Sequence, residues 1–437
     1  MTDSFNSPET AYYFERFGFC PKQIAEPPQA NLGMVIVIPA YNEPDLLLAL
    51  DALRKADRPS CSVEVILVIN SKEGECPEIV AANALGFDRA REFAARIEEP
   101  SFHIHVLHCP DLPRKRAGVG LARKIGMDEA LRRLDQIRSP QGVIVCFDAD
   151  CICDLNYLGE IERFFFHPEM IGCSIYFEHP LEGRHDPEIY QGITLYELHL
   201  RYYVEGLRFA RFPYAFHTIG SSMAVRADVY RKQGGMNKRQ AGEDFYFLHK
   251  IIPLGGFGDL TTTRVIASPR ASGRVPFGTG RAVGDFLQGK ELLTYNHQSF
   301  LDLKVLFEKI EMIYSARTVG ALPASLTAFL QSEGFEKVLP GTFENSSSFA
   351  AFQKRFFQWF DGFQIMKFLH FSREHFHANR PVAKEAATLW PLISEAKTSR
   401  RSAALLLEYY RNFEKSNPRF FPSSAGRDSF CKTGFKS

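Results

Sequence analysis

The chain of 437 residues is 45% hydrophobic and carries 52 basic against 51 acidic side chains, a formal charge of +1. Such a length admits two or more domains with a full core, and the near cancellation of charge excludes a bulk field for nucleic acid, so any anion binding is local. Residues 1–28 lack a basic-then-apolar signal and no apolar run of about 18 residues occurs, which predicts a soluble, cytoplasmic protein without a transmembrane segment. The nine cysteines are odd in number, and Cys146, Cys151, Cys153 and Cys173 sit in or beside apolar strand-like segments, so reduced thiols are expected rather than a disulfide frame. Cys151-Ile152-Cys153 lacks the second Cys or His pair of a zinc site.

In chain order, Met34–Ile38 reads as a β-branched strand that runs into Pro39-Ala40-Tyr41-Asn42-Glu43-Pro44. Pro44 suits the first turn of a helix, where Leu46, Leu50 and Leu53 recur at helical spacing. A second strand, Val63–Ile69, ends at Asn70-Ser71. A helix is expected over Glu78–Ile97, a strand over Phe102–Leu107, and a helix over Gly120–Ile137, before an apolar strand that ends in Asp148-Ala149-Asp150. Strands alternating with helices predict a parallel sheet built by right-handed crossovers. Ligands of such sheets bind outside the carboxyl ends of the strands, so Pro39–Glu43, Asn70-Ser71, Cys109–Arg116 and Asp148–Asp150 are expected to share one crevice.

Further on, the pattern predicts a helix over Asn156–Phe166, a strand over Ile171–Phe177, an aromatic helix over Glu188–Ala210, a strand over His217–Arg226 bent at Gly220, and a helix over Phe245–Ile252. Two basic, glycine-bearing segments are candidate phosphate contacts: Arg114–Gly120 with Arg123 and Lys124 after it, and Arg270–Arg281, which reads as a lid. From Gly284 the periodicity is mainly helical, with a Ser/Pro/Gly-rich tail after Asn417. Phe349, Phe352, Phe356, Trp359 or Phe360, and Phe363 fall on one helical face, expected to pack on the rest of the protein, with an acceptor groove, a dimer seam or a peripheral membrane contact as alternatives.

Asp148 and Asp150, two carboxylates at the end of a buried strand, offer the hard oxygen donors that Mg²⁺ or Mn²⁺ prefers. With Pro39–Glu43 before them and a Gly-Ser strand, Gly234-Gly235 and Glu243-Asp244 after them, they make an ordered set that resembles the family 2 glycosyltransferases of the GT-A fold over about residues 34–280. The resemblance implies an α/β fold, with a Rossmann-like, mostly parallel central sheet flanked by helices and a C-terminal helical region. It divides the chain into an extension (1–33), a nucleotide-sugar-binding catalytic domain (34–283) and a helical region with a flexible tail (284–437). It implies a metal-dependent, inverting hexosyl transfer from a nucleotide diphosphate sugar to a hydroxyl acceptor, which is a glycan, a small metabolite or a lipid head group.

By the same resemblance Asp150 ligates the metal, Asp148 holds the donor ribose or supports the metal, Asp244 is the base, and Glu243 binds acceptor hydroxyls or orients that base. Pro39, Ala40, Tyr41, Asn42 and Glu43 hold the nucleoside, joined by Asn70 and Ser71, while Arg116, Gly118, Arg123 and Arg274 serve the diphosphate. Relatives often place an aspartate at the end of the second strand to pair with uracil; Asn70 stands there instead, so UDP- and GDP-linked donors both stay open. No late histidine can be placed as a third metal ligand; His249 reads as a packing residue and His217 as a possible acceptor contact. Two alternatives remain, a sugar-nucleotide pyrophosphorylase and a non-catalytic nucleotide-sugar-binding protein.

Overall fold

The computed structural model describes residues 5–273, 278–394 and 402–422. Among them, the strands β1 (Leu32–Ala40), β2 (Ser62–Lys72), β3 (Phe102–Leu112), β4 (Val143–Cys146), β5 (Cys151–Cys153), β6 (Gly172–Glu178), β7 (Met223–Arg226) and β8 (Phe257–Ala267) belong to one sheet. Its spatial order from one edge is β8-β6-β7-β4-β1-β2-β3, with β5 beside β8. β1 pairs in parallel with both β2 and β4, placing Ile38 opposite Leu67 and Val37 opposite Cys146. β7 runs against β4 and β6, which restores the common direction for β6 and β8. The sheet is thus mostly parallel, and buried on both faces as parallel sheets must be: Val35 to Ile38 and Val65 to Val68 are fully enclosed.

The covering helices are α1 (Pro8–Phe17), α2 (Leu46–Lys55), α3 (Pro77–Ala95), α4 (Val119–Gln136), α5 (Tyr157–Phe165), α6 (Pro187–Phe209), α7 (Ala227–Lys232) and α8 (Glu243–Ile251). α4 lies so close to the sheet that a Cβ on Gly126 would meet Val37 and Val68. It is buried all round although it carries Arg123, Lys124, Asp128, Glu129, Arg132 and Arg133. Buried charges must be paired, and residues 13–26 supply most of what α4 needs. The Tyr13 hydroxyl donates to Asp128 (2.6 Å), the N–H groups of Gln23 and Ile24 donate to Glu129 (3.1 Å each), and the carbonyls of Cys20 and Glu26 accept from Arg132 (2.6 Å) and Arg133 (2.9 Å). Arg133 also donates to Glu64 of β2 at 2.6 Å.

The remaining helices are α9 (Thr279–Leu287), α10 (His297–Glu308), α11 (Ile310–Ala316), α12 (Ala324–Ser332), α13 (Phe335–Glu344), α14 (Phe349–Trp359), α15 (Gly362–His375), α16 (Val382–Ser394) and α17 (Ala403–Ser416). They enclose an aromatic core containing Phe300, Phe307, Phe329, Phe356, Phe360 and Phe368, into which α6 inserts Leu198, Tyr202 and Leu207. Two short strands, β9 (Leu293–Thr294) and β10 (Arg380–Pro381), pair with each other. β11 (Phe420–Phe421) returns to the main sheet and pairs antiparallel with β8. No helix among the described residues is long and apolar enough to cross a membrane.

Two local expectations are corrected, and one element is added. The strand expected over His217–Arg226 is confined to Met223–Arg226, because Gly220 and the serines lie in a turn closed by Ser222 N–H to Ile219 O at 3.0 Å. The polar amino end contains α1, whose start is fixed by Ser7 accepting from Thr10 N–H and by Pro8 in the first turn. The continuous phenylalanine face breaks after Trp359, since Asp361 caps a new helix by accepting from the N–H groups of Phe363 and Gln364.

The Arg133–Glu64 pair gives the first prediction. Glu64→Ala strands a guanidinium in the core, which costs about 3–5 kcal/mol, and should lower the midpoint of urea unfolding followed by circular dichroism.

Candidate active site

The carboxyl ends of β1, β2 and β4 open onto a single cavity of about 890 Å³. Pro39, Ala40, Tyr41, Glu43, Asn70, Gly118, Arg123, Asp148, Asp150, Glu243 and Asp244 all line it. Among the described residues, Asn42, Ser71 and Arg116 do not line the cavity. Asn42 has φ of 47°, a left-handed conformation that asparagine tolerates, and its N–H donates to Asn83 Oδ1 at 2.9 Å. Ser71 is buried and donates to the carbonyl of Pro110 at 2.8 Å. Arg274 lies outside the described residues. Arg270, from the same basic segment, reaches the cavity: its guanidinium contacts Glu43 and lies 3.4 Å from Asp45 and 3.8 Å from Asp150.

At the middle of the cavity a buried guanidinium joins a strand end to the start of a helix. Arg123, in the first turns of α4, donates to Asp148 Oδ1 at 2.6 Å through one nitrogen and contacts Glu243, the first residue of α8, through another. Gly220 makes room for it, since a Cβ there would fall 2.5 Å from Nη1 of Arg123. The Gly220 N–H donates to Asp244 Oδ2 at 2.9 Å and the Phe245 N–H to Asp244 Oδ1 at 2.7 Å. Each oxygen of Asp244 is therefore oriented by a backbone donor. Burial raises the pKa of Glu243, outweighing the attraction of Arg123, and the negative charge of Asp244 adds to the rise. Burial likewise raises the pKa of Asp244. Arg123 is held charged, the carboxylates of Asp148 and Glu243 overcoming its own desolvation.

The two ends of the cavity differ in chemistry. The sheet end carries Lys72, Glu75, Arg114, Asp148, Asp150 and Arg270, with the Tyr41 hydroxyl donating to Glu75 Oε2 at 2.9 Å. The other end is lined by one face of α6 and by aromatic and histidine side chains from later segments. Three lining imidazoles back onto carboxylates: His179 on Glu197 (3.0 Å), His217 on Glu414 (3.0 Å) and His249 on Asp361 (3.1 Å). His249, expected as a packing residue, thus lines the cavity, and also packs its ring 4.5 Å from that of Phe363.

The sequence reasoning missed Glu75, His179 and the α6 face, whereas Arg270 begins the basic segment it had marked. For α6 a signal was present: Tyr196, His199, Leu200, Tyr203 and Leu207 recur at helical spacing within the segment already marked as aromatic.

The family model described as Glycosyl transferase family 2 matches residues 35–234. Against S. aureus TarS 1–349 in complex with UDP-GlcNAc, the chain aligns over 88% of its own length and 90% of that structure, at 14% identity and a TM-score of 0.37. Against the longer S. aureus TarS structure the figures are 55% and 35%, 15% identity and 0.30, so the chain spans about a third of that protein. Against GalNAc-T7 with UDP, GalNAc and Mn²⁺ they are 69% and 54%, 14% and 0.35. No curated protein sequence matches the chain.

Two outcomes follow from the arginine bridge. Gly220→Ala pushes Arg123 off its carboxylates and should reduce turnover about a hundredfold, the effect of an ångström-scale misplacement, while near-UV circular dichroism reports an intact core. Glu243→Gln removes a negative charge beside Asp244. The pKa of Asp244 then falls, and the acid limb of the pH–rate profile should move to lower pH.

Proposed function

We propose that the chain is a glycosyltransferase, a reading supported by the match of residues 35–234 to the model described as Glycosyl transferase family 2, and that it moves a hexose from a UDP- or GDP-linked donor to a hydroxyl acceptor with inversion at the anomeric carbon. We assign the catalytic work to residues 34–283 and place the reaction in the cytoplasm. The observation that carries this reading is the Arg123 bridge, which joins the strand-end carboxylate Asp148 to the segment bearing Asp244.

The nucleoside lies against Pro39, Ala40 and Asn70, with Tyr41 held in place by Glu75. The amide of Asn70 both donates and accepts, which suits either base. The diphosphate faces Gly118 and the start of α4, an 18-residue helix that lacks a side-chain cap at its first N–H groups and so leaves them for an anion.

Asp148 and Asp150 fit a divalent cation. Both are hard oxygen donors that line the cavity, and Mg²⁺ is commonly held by one or two carboxylates with substrate phosphates and water completing the set. When bound, Mg²⁺ or Mn²⁺ offsets the charge that gathers on the departing diphosphate. Arg270, already beside Asp150 and Glu43, adds a cation at the same place.

Asp244 takes the proton of the acceptor hydroxyl as that oxygen bonds to the anomeric carbon and the carbon–diphosphate bond breaks. Its two backbone donors hold the carboxylate in one orientation throughout, and its raised pKa brings it closer to the working pH than a solvent-exposed aspartate. The proton then passes to solvent.

The test is a panel of nucleotide sugars with Mn²⁺ or Mg²⁺, scored by thermal shift and by donor hydrolysis. Asp244→Asn should keep the donor-induced shift but lose transfer by about a thousandfold, within the range for a general base. Full transferase activity in that variant would remove Asp244 from the role.

A further inference from the structure

α6 presents three chemically distinct faces. Glu197, Arg201, Glu205 and Arg208 are buried and point into an ion-pair layer, with Arg201 pairing Glu414 and Arg208 donating to Asp259 at 2.6 Å. Leu198, Tyr202 and Leu207 enter the aromatic core of the C-terminal helices. The third face, Tyr196, His199, Leu200 and Tyr203, is only partly covered and lines the cavity.

Facing it are Tyr295 and Met366 from the C-terminal helical region, and Phe245 next to the base. The Tyr203 and Tyr295 rings lie 6.1 Å apart. Tyr196 lies within the field of Asp244, whose charge helps raise its phenol pKa after burial has done most of the work. Among the described residues the hydroxyls of Tyr196 and Tyr203 make no hydrogen bond, so both can serve a ligand.

The charge pattern separates this end from the other. Among the described residues, the Lys and Arg that line the cavity are Lys72, Arg114 and Arg270 at the sheet end and Arg123 at the middle, where Asp148 and Glu243 already neutralise it; the lining carboxylates other than Glu243 and Asp244 lie at the sheet end. Burial keeps His199 neutral, lowering its pKa to about 4, and its Nδ1 is engaged with Thr294 at 2.8 Å. A phosphate or carboxylate on the acceptor would therefore be taken from water without a guanidinium or ammonium to receive it, which is costly. A sugar ring costs little there, since it offers an apolar face to tyrosine rings and hydroxyls to their phenols.

Building on the proposed transfer reaction, we propose that the acceptor is an uncharged ring-shaped polyol, a glycoside bound on the Tyr196–Tyr203 face of α6, and that phosphorylated acceptors are rejected. The C-terminal helices help select it through Tyr295 and Met366.

The experiment uses the full chain with UDP- and GDP-hexoses and Mn²⁺. Donor hydrolysis without acceptor is measured first, then transfer to methyl and p-nitrophenyl glycosides and to the corresponding hexose 6-phosphates. Neutral glycosides should be preferred in kcat/KM by at least about tenfold over their phosphates. Tyr203→Ala should raise the acceptor KM on the order of tenfold, the loss of one ring contact, with Tyr203→Phe restoring most of it. Equal or better use of the phosphates by an enzyme that hydrolyses its donor overturns the proposal alone. Absence of hydrolysis and transfer with every donor overturns the transfer reading and this proposal with it. The acceptor panel needs no variant, so a folding defect in Tyr203→Ala does not blunt the test.

Discussion

The site depends on burying one positive charge. Arg123 is enclosed at 2% exposure, and a guanidinium in that position is tolerable only while carboxylates neutralise it and hydrogen-bond its nitrogens. Asp148 comes from the end of β4 and Glu243 from the first turn of α8, so the cation fixes the distance between two elements about a hundred residues apart in sequence. The constraint also explains the local glycines. Gly220 leaves space for the guanidinium, while Gly118 lets the Gln240 backbone approach and Gly120 the side chain of Glu243. Asp244 inherits its position from this arrangement rather than from any side-chain partner of its own.

A second tier of buried charge holds the carboxyl-terminal helices to the same site. Glu197 receives His179, Arg201 and Arg411; Glu178 receives Arg264 and Lys415; and Glu414 receives Arg201 and His217. Glu178 and Glu414 are both held near pKa 2, their cationic neighbours outweighing the burial that opposes ionisation. Because His179 and His217 line the cavity, α17 shapes the site without lining it. Together with the core residues of α6, this makes the helical region part of the wall of the crevice.

Much of this was legible in the sequence wherever one segment carries the whole signal. The runs Met34–Ile38 and Val63–Ile69 are apolar because parallel strands are covered on both faces, and the polar residues that end them mark the open edge of the sheet. Asp148-Ala149-Asp150 stands out for the same reason. What escaped depends on pairing across the fold. Nothing near Gly220 says that Arg123 will occupy the space of its missing side chain. The burial of the charges on α4 was not legible, since a helix cannot reveal from its own residues that Tyr13, Cys20 and Glu26 will be laid over it. The split between α14 and α15 was hidden by phenylalanine spacing that continues through Asp361.

The return of α17 and β11 bears on how the protein is made. Arg201 and Glu414 are separated by 213 residues, and β11, which pairs with β8, follows the C-terminal helices in sequence. On the ribosome, α6 therefore emerges with Arg201 answered only by Glu197 and the Phe177 carbonyl, and the β8 edge stays open to other strands until β11 follows. Contacts of such long sequence separation form late and slowly, and an uncovered edge in the meantime invites association between chains. Closing the sheet beside β8 therefore waits for Phe420–Phe421, which follow the C-terminal helices in sequence.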